Sequence, residues 1–171
     1  IPEGYGTNLA LYRLEDNGQL TLLETRTEVA GTVIRCWKAE GHGMQTFAQA
    51  IQNSCNPAFI EIGMSVGKEN FFKYVSGFGL TEKTGIDLNG ESGSIYYKDK
   101  TLSDTDLATS SFGQGFNVTP IQMITAVSAV VNGGSLMKPQ IVKEIRNFEG
   151  EIISKIEPEV VRQVISEETA N

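Results

Sequence analysis

Asn53-Ser54-Cys55-Asn56-Pro57 joins two segments of helical period, and the reading of this junction decides the fold. Before it, from Met44, the residues Met44, Phe47 and Ile51 recur at i, i+3 and i+7, giving a helix whose apolar stripe faces a core. Asn53 and Ser54 end that helix. After the junction, Asn56 is a good N-cap and Pro57 suits a first helical position. A second helix therefore carries Phe59, Ile60 and Met64 and stops near Gly67. A turn between two helices holds short polar side chains outward at a cleft, on rigid supports. On local sequence alone, Ser54 ends one helix, Asn56 caps the next, and neither residue needs a chemical role.

Upstream, residues 8 to 29 read as a hairpin, with apolar runs on both sides of Asp16-Asn17-Gly18. Asn-Gly supplies the pair of positive φ angles that a tight hairpin turn requires. Gly31 to Trp37 is a second β-like run, broken by Gly41-His42-Gly43. Downstream, a third helix runs from about Lys68 to Val75, and residues 80 to 106 read as a long irregular connection. Thr119-Pro120 opens the strongest helix, Ile121 to Val131, closed by Asn132-Gly133-Gly134. Its apolar residues nearly encircle it, so it should be central and buried. Pro139 to Ile156 reads as two strands around Asn147 to Gly150, followed by a short strand at Val160-Val161 and a helix start at Ser166. The alternation predicts a mixed α/β (α+β) domain with a helical core beside part of an antiparallel sheet.

A net charge of −7 without a basic stripe argues against a nucleic-acid partner. No run of 18 apolar residues is present, and Ile1-Pro2-Glu3-Gly4 has neither a basic n-region nor an initiator Met. The chain therefore reads as an excised piece whose targeting signals lie elsewhere.

Wider context changes the reading of Ser54 and Asn56. Cys36-Trp37-Lys38, Gly41-His42-Gly43, Gln45-Thr46-Phe47 and Asn53-Ser54-Cys55-Asn56-Pro57 together closely resemble class B penicillin-binding proteins. So do Phe78-Gly79-Leu80, Lys83 to Leu88, Ser111 to Gly115, and Val118 to Gln122 with Asn132-Gly133-Gly134. The matches follow the family's order over roughly residues 28–171, the central part of a transpeptidase domain. Residues 1–27 do not match it. The two-cysteine pattern most resembles the sporulation-specific branch of endospore-forming bacteria. If the helix Ile121 to Val131 is exposed on the surface, the family reading fails.

The resemblance implies the penicillin-binding-protein/serine β-lactamase-like transpeptidase fold, here incomplete. It also implies acyl transfer through a serine ester, with Ser-x-x-Lys, Ser-x-Asn and Lys-Thr-Gly as the working motifs. Ser54 would take part in the proton relay to the leaving amine. Asn56 would hydrogen-bond the substrate peptide and orient a paired lysine. A hydroxyl and an amide can pass a proton and fix geometry without adding charge to a cationic site. The implied partners are peptidoglycan stem peptides ending in D-Ala-D-Ala, β-lactams if the domain is complete, and cell-wall synthesis proteins. The implied location is the extracytoplasmic face of the bacterial cell membrane. No cofactor is expected.

Two motifs depart from the family. Ser65 to Lys68 and Ser135 to Lys138 have Ser-x-x-Lys spacing, but both follow Ser54, whereas the family's nucleophile precedes it and opens a buried helix. Lys83-Thr84-Gly85 matches the third motif in letters but aligns with a structural loop of the family. The chain thus supplies Ser-x-Asn without a nucleophile, and on its own it should form no penicilloyl ester. A catalytic segment, an inactive binding or scaffold module, and a β-lactam sensor domain remain the alternatives, with the sensor the weakest.

Cys36 lies nineteen residues upstream of Cys55, the middle residue of Ser-x-Asn. Family members act outside the cytoplasmic membrane, where disulfides persist. Cys36 and Cys55 are therefore a candidate redox pair, with two independent buried thiols as the alternative. His42 is expected to shape a turn beside Trp37. A metal site is not expected, because one His and two Cys far apart in the chain give no ligand spacing.

Overall fold

The structure is a computed structural model that describes residues 12–14, 19–22, 26–42, 45–96 and 102–171. The chain forms two compact units, Ile1–Phe71 with Tyr97–Gly115, and Phe72–Tyr96 with Phe116–Asn171.

In the first unit, β1 (Tyr12–Leu14) and β2 (Gln19–Leu22) pair antiparallel, and β5 (Gln45–Thr46) extends them. The expected hairpin is there in its strands. Its turn, Asp16-Asn17-Gly18, lies outside the described residues. Arg26–Val29 does not continue that hairpin. It is β3, paired with β4 (Thr32–Arg35) through Ala30 and Gly31, both at positive φ.

Helix α1 (Phe47–Gln52) opens with a reciprocal cap in which Thr46 and Gln49 each bond the other's backbone. Helix α2 (Asn56–Val66) follows, then α3 (Lys68–Gly77). The apolar heart of this unit is Val29, Ile60 and Ala108, flanked by Ile34, Met64 and Phe112.

Ala108 belongs to α4 (Asp104–Ser111), a helix the sequence reading did not assign, its first turn falling at the end of the irregular stretch 80 to 106. Ser103 accepts a bond from the Asp106 N–H, and Asp106 returns one to the Ser103 N–H, so a capping box starts it. Helices α2 and α4 meet at Gly63, where a Cβ would stand 1.8 Å from Ser111 Oγ.

The second unit is built on α5 (Pro120–Val131), capped by Thr119 and Gln122 in the same reciprocal way. Strand β6 (Ser135–Met137) pairs with β9 (Val160–Gln163), and β7 (Glu144–Arg146) with β8 (Ile152–Lys155), all antiparallel. The short α6 (Glu167–Ala170) starts from Ser166 as expected. The helices with antiparallel strand pairs agree with the predicted fold class.

The expected burial of α5 is corrected. Gln122, Ala126 and Ala129 form its one buried stripe, whereas Met123, Ile124, Val127, Val130 and Val131 are exposed, Val131 at 77%. The spacing of the buried three, i, i+4, i+7, is that of a helix covered on one face. Apolar residues around the whole circumference show what the helix can bury, not what covers it among the described residues.

The loop after α3 is held by two carboxylates. Glu91 accepts from the Thr84 N–H and hydroxyl and from the Gly85 N–H. Lys83-Thr84-Gly85 is thus a loop wrapped on an acid, not a strand. Asp87 accepts from the N–H groups of Ile141 and Val142, at 2.8 Å each. Those backbone donors hold the Asp87 carboxyl below its ordinary range, and the Thr84 hydroxyl leads the same effect on Glu91. A lowered folded-state pKa stabilises above the unfolded value, about 4, and the gain is lost as pH falls through the folded one. Asp87→Asn is therefore expected to be less stable than the parent at pH 7. The gap should narrow in denaturant melts at pH 3. A gap that is the same at both pH values would contradict the clamp.

Candidate functional site

Ser54 sits where a glycine would be cheaper. Helix α1 closes with Asn53 as C-cap. The Ser54 N–H donates to the Ile51 carbonyl at 3.0 Å, and the Cys55 N–H to the Ala50 carbonyl at 3.1 Å. This is the Schellman closure, whose residue after the cap adopts the left-handed conformation and is usually glycine. Ser54 does so at φ 48. Such a position costs a residue with a Cβ on the order of 1–2 kcal/mol. The hydroxyl it carries is exposed.

Cys55, fully buried, is the N-cap of α2 and makes no side-chain cap bond. Asn56 is the first helical residue, not the cap, which corrects the sequence reading. Its amide instead donates to the Arg35 carbonyl at the end of β4, at 3.1 Å. That tie fixes the head of α2 and leaves the Asn56 carbonyl oxygen to accept from other groups. Trp37 Nε1 donates to the Asn53 carbonyl at 3.0 Å, and Asn53 Nδ2 to Gln45 Oε1 at 2.9 Å. The turn carrying Ser54 and Asn56 is therefore gripped from β4, from the segment after it and from β5.

Beneath the turn, Cys36 Sγ lies 4.0 Å from Cys55 Sγ, and both residues are thiols. With Ala50 and Ala58 they make a small buried cluster. His42 Nδ1 is 3.4 Å from Cys36 Sγ, and its ring meets Trp37 edge-on at 5.3 Å between centroids. The turn beside Trp37 was expected. The company of the two thiols was not. The spacing argument against metal ligation fails in space, because α1 folds residue 55 back onto residue 36. The ligand atoms of Cys36, His42 and Cys55 all lie within 4.8 Å of one another. Burial pushes the Cys36 thiol up, partly offset by the backbone N–H groups of Lys38 and Asn56. Burial and the Lys38 charge push the His42 imidazole down.

The two Ser-x-x-Lys matches show no nucleophile geometry. Ser65, near the end of α2, donates to the Ile62 carbonyl, and Lys68 pairs with Asp104. Ser135 donates to Gln163 Oε1, and Lys138 pairs with Glu159. In neither match is serine bonded to its lysine.

The family model of the penicillin binding protein transpeptidase domain matches residues 14–171, and the chain belongs to that family. Stage V sporulation protein D of Bacillus subtilis is 50% identical over 144 residues, 84% of this chain and 22% of that protein. Peptidoglycan D,D-transpeptidase MrdA of Salmonella typhimurium is 32% identical over 63% of this chain and 19% of its own length. Among solved structures, penicillin binding protein 3 of Mycobacterium tuberculosis complexed with ampicillin superposes with a TM-score of 0.78. It is 25% identical, over 89% of this chain and 33% of that one. A peptidoglycan synthetase of Bifidobacterium adolescentis gives 0.78 at 26% identity, over 95% of this chain and 29% of its own. The chain spans about a fifth of the length of the curated relatives it matches. Family membership holds although α5 is exposed on one face, so burial of α5 was too strict a criterion for it. Among the described residues no helix is long and apolar enough to cross a membrane.

Proposed function

We propose that this chain forms the Ser-x-Asn portion of a peptidoglycan D,D-transpeptidase domain. The reading rests above all on Ser54, a hydroxyl held in a strained left-handed position at an exposed turn. Strain kept at such a point is a signature of function. A serine supplied by the complete domain attacks the penultimate D-alanyl carbonyl of a stem peptide and expels the terminal D-alanine. An amine of a neighbouring strand then attacks the ester. Ser54 relays a proton to the leaving amine. Asn56, its Nδ2 tied to Arg35, offers its carbonyl oxygen to the paired lysine and its remaining N–H to the substrate. β-Lactams acylate the same serine. The reaction takes place on the extracytoplasmic face of the bacterial membrane, alongside other cell-wall synthesis proteins.

Cys36 and Cys55 form the redox pair of this site. Bonding the sulfurs means closing 4.0 Å to about 2.05 Å. The pull falls on the residue between Ser54 and Asn56, and a displacement of about 1 Å can cost on the order of 100-fold in rate. The reduced form is the competent one.

Labelling of the complete domain with a fluorescent penicillin tests both statements. Ser54→Ala and Ser54→Gly are each expected to slow acylation by on the order of 100-fold, the lower end of a lost proton relay. Only Ser54→Gly should also raise the melting temperature. Relief of about 1–2 kcal/mol of left-handed strain exceeds the roughly 0.5–1 kcal/mol of added chain entropy. Unchanged acylation in Ser54→Ala removes the relay role. Equal acylation of oxidised and reduced protein, with the bond verified by mass, removes the redox reading.

A further inference from the structure

We propose that Cys36, His42 and Cys55 bind one Zn2+ ion, with two thiolates and an imidazole nitrogen as ligands and the fourth position open. The geometry carries this. Tetrahedral zinc with Zn–S near 2.3 Å and Zn–N near 2.0–2.1 Å implies an S···S edge of about 3.8 Å and an S···N edge of about 3.6 Å. The structure has 4.0 Å between the sulfurs and 3.4 Å from Cys36 Sγ to His42 Nδ1. All three ligand atoms lie within 4.8 Å of one another. The remaining edge, between Cys55 Sγ and His42, lies within 4.8 Å against about 3.6 Å in the tetrahedron, so side-chain rotation must close it by up to about 1.2 Å.

The surroundings suit a thiolate–imidazole set. Both cysteines are buried, and burial favours the neutral assembly of one Zn2+ with two thiolates over two separate charges. The same neutrality means that Lys38, whose charge bears on His42, does not oppose the loaded site. His42 Nε2 is buried and makes no hydrogen bond among the described residues, while Nδ1 faces Cys36 Sγ at 3.4 Å. Loading exchanges a proton from each thiol for the ion, and no electron is transferred.

The site does not depend on the transpeptidase reading, but it uses the same sulfurs as the redox pair. A disulfide has no thiolate to offer, so zinc and the Cys36–Cys55 bond exclude each other. Bound zinc would hold the reduced pair and, through Cys55, anchor the turn between Ser54 and Asn56. A soft or borderline cation is the class of ligand the donor set selects.

The test uses the full chain, reduced, stripped with a chelator and handled without oxygen. Co2+ titration should give thiolate-to-metal charge-transfer absorption and the intense d–d bands of a tetrahedral site, saturating at one ion per chain. Zn2+ should displace it and should protect both cysteines from alkylation. His42→Gln is expected to weaken Zn2+ binding by at least about 100-fold, since a lost ligand costs more than the 10- to 100-fold of a lost supporting contact. Octahedral cobalt spectra, no protection of the thiols, or undiminished affinity in His42→Gln would each overturn the three-ligand site. If His42→Gln melts early, alkylation protection and the cobalt spectrum of the unaltered chain decide the question. Disulfide formation is scored separately, by mass in metal-free oxidising buffer, so the redox reading can fail while the zinc site stands, and the reverse.

Discussion

Gly134→Ala is expected to cost on the order of 2–5 kcal/mol, enough at the upper end to unfold the second unit of a marginal domain. Two independent penalties add. The residue adopts φ 85, where a side chain costs roughly 1–2 kcal/mol. A Cβ would also stand 2.1 Å from the Ile165 carbonyl oxygen, 2.8 Å from Ile165 Cγ1 and 2.9 Å from Gln163 Nε2. The first of these is backbone and cannot rotate away, and overpacking of this kind adds about 1–3 kcal/mol. Gly134 cannot simply retreat. Its N–H bonds the Ala129 carbonyl at the end of α5, and its carbonyl accepts from Val164 beyond β9, both at 2.8 Å. Gly133 is the control. It shares the left-handed angle, φ 83, but its Cβ would meet only Glu167 Cγ at 3.6 Å, an ordinary contact. Gly133→Ala should therefore lose only the strain. Equal denaturation midpoints for the two variants would show that the strand gives way and that the contact has been misjudged.

Both glycines were visible in the sequence as a helix stop, but not which of them is pressed against a strand. The same limit recurs elsewhere. The C-terminal ends of α1 and α2 and both ends of α5 were legible because their caps and prolines are local chemistry, but α1 starts at Phe47 after β5 rather than at Met44, and Phe47 and Ile51 of its expected core-facing stripe are exposed. Helix α4 was missed although Ser103 and Asp106 carry its capping box, because its eight residues sit after a stretch rich in Gly, Asn, Asp and Ser. Asn56 was assigned the cap on residue type, yet the chain turns one residue earlier, at Cys55, and the Asn56 amide goes to Arg35. Ser54 was singled out by family resemblance alone. Its positive φ has no signature in the letters, since glycine would be the signal and serine is what stands there. Cys36 and Cys55 were paired on chain separation and compartment. His42 was set aside because ligand spacing was sought along the chain, whereas α1 supplies the proximity. The exposed side of α5 is the counterpart on the apolar side: composition reports an appetite for burial, and only packing shows how much of it is met.

Gly63→Ala should destabilise the first unit by up to about 2 kcal/mol, because overpacking of about 1–3 kcal/mol outweighs the roughly 1 kcal/mol by which alanine is the better helix former. The sign is set by where α2 and α4 meet. A Cβ at residue 63 would lie 1.8 Å from Ser111 Oγ and 2.7 Å from Ser111 Cβ. The hydroxyl could turn aside, at the cost of its 2.7 Å bond to the Leu107 carbonyl. The Cβ could not, because it is fixed to the α4 backbone. The helices must then separate, and α2 carries Asn56 at its head, four residues before the buried core residue Ile60. Removing the Ser111 side chain reverses the expectation. The next atom is Ser111 Cα at 3.8 Å, an ordinary contact, so in a Ser111→Gly background Gly63→Ala should be neutral or stabilising. The four proteins of this double-mutant cycle, compared by denaturant unfolding, should give a coupling of about 1–3 kcal/mol. If Gly63→Ala is equally costly with and without the Ser111 side chain, the contact between α2 and α4 does not determine the choice of glycine at this position.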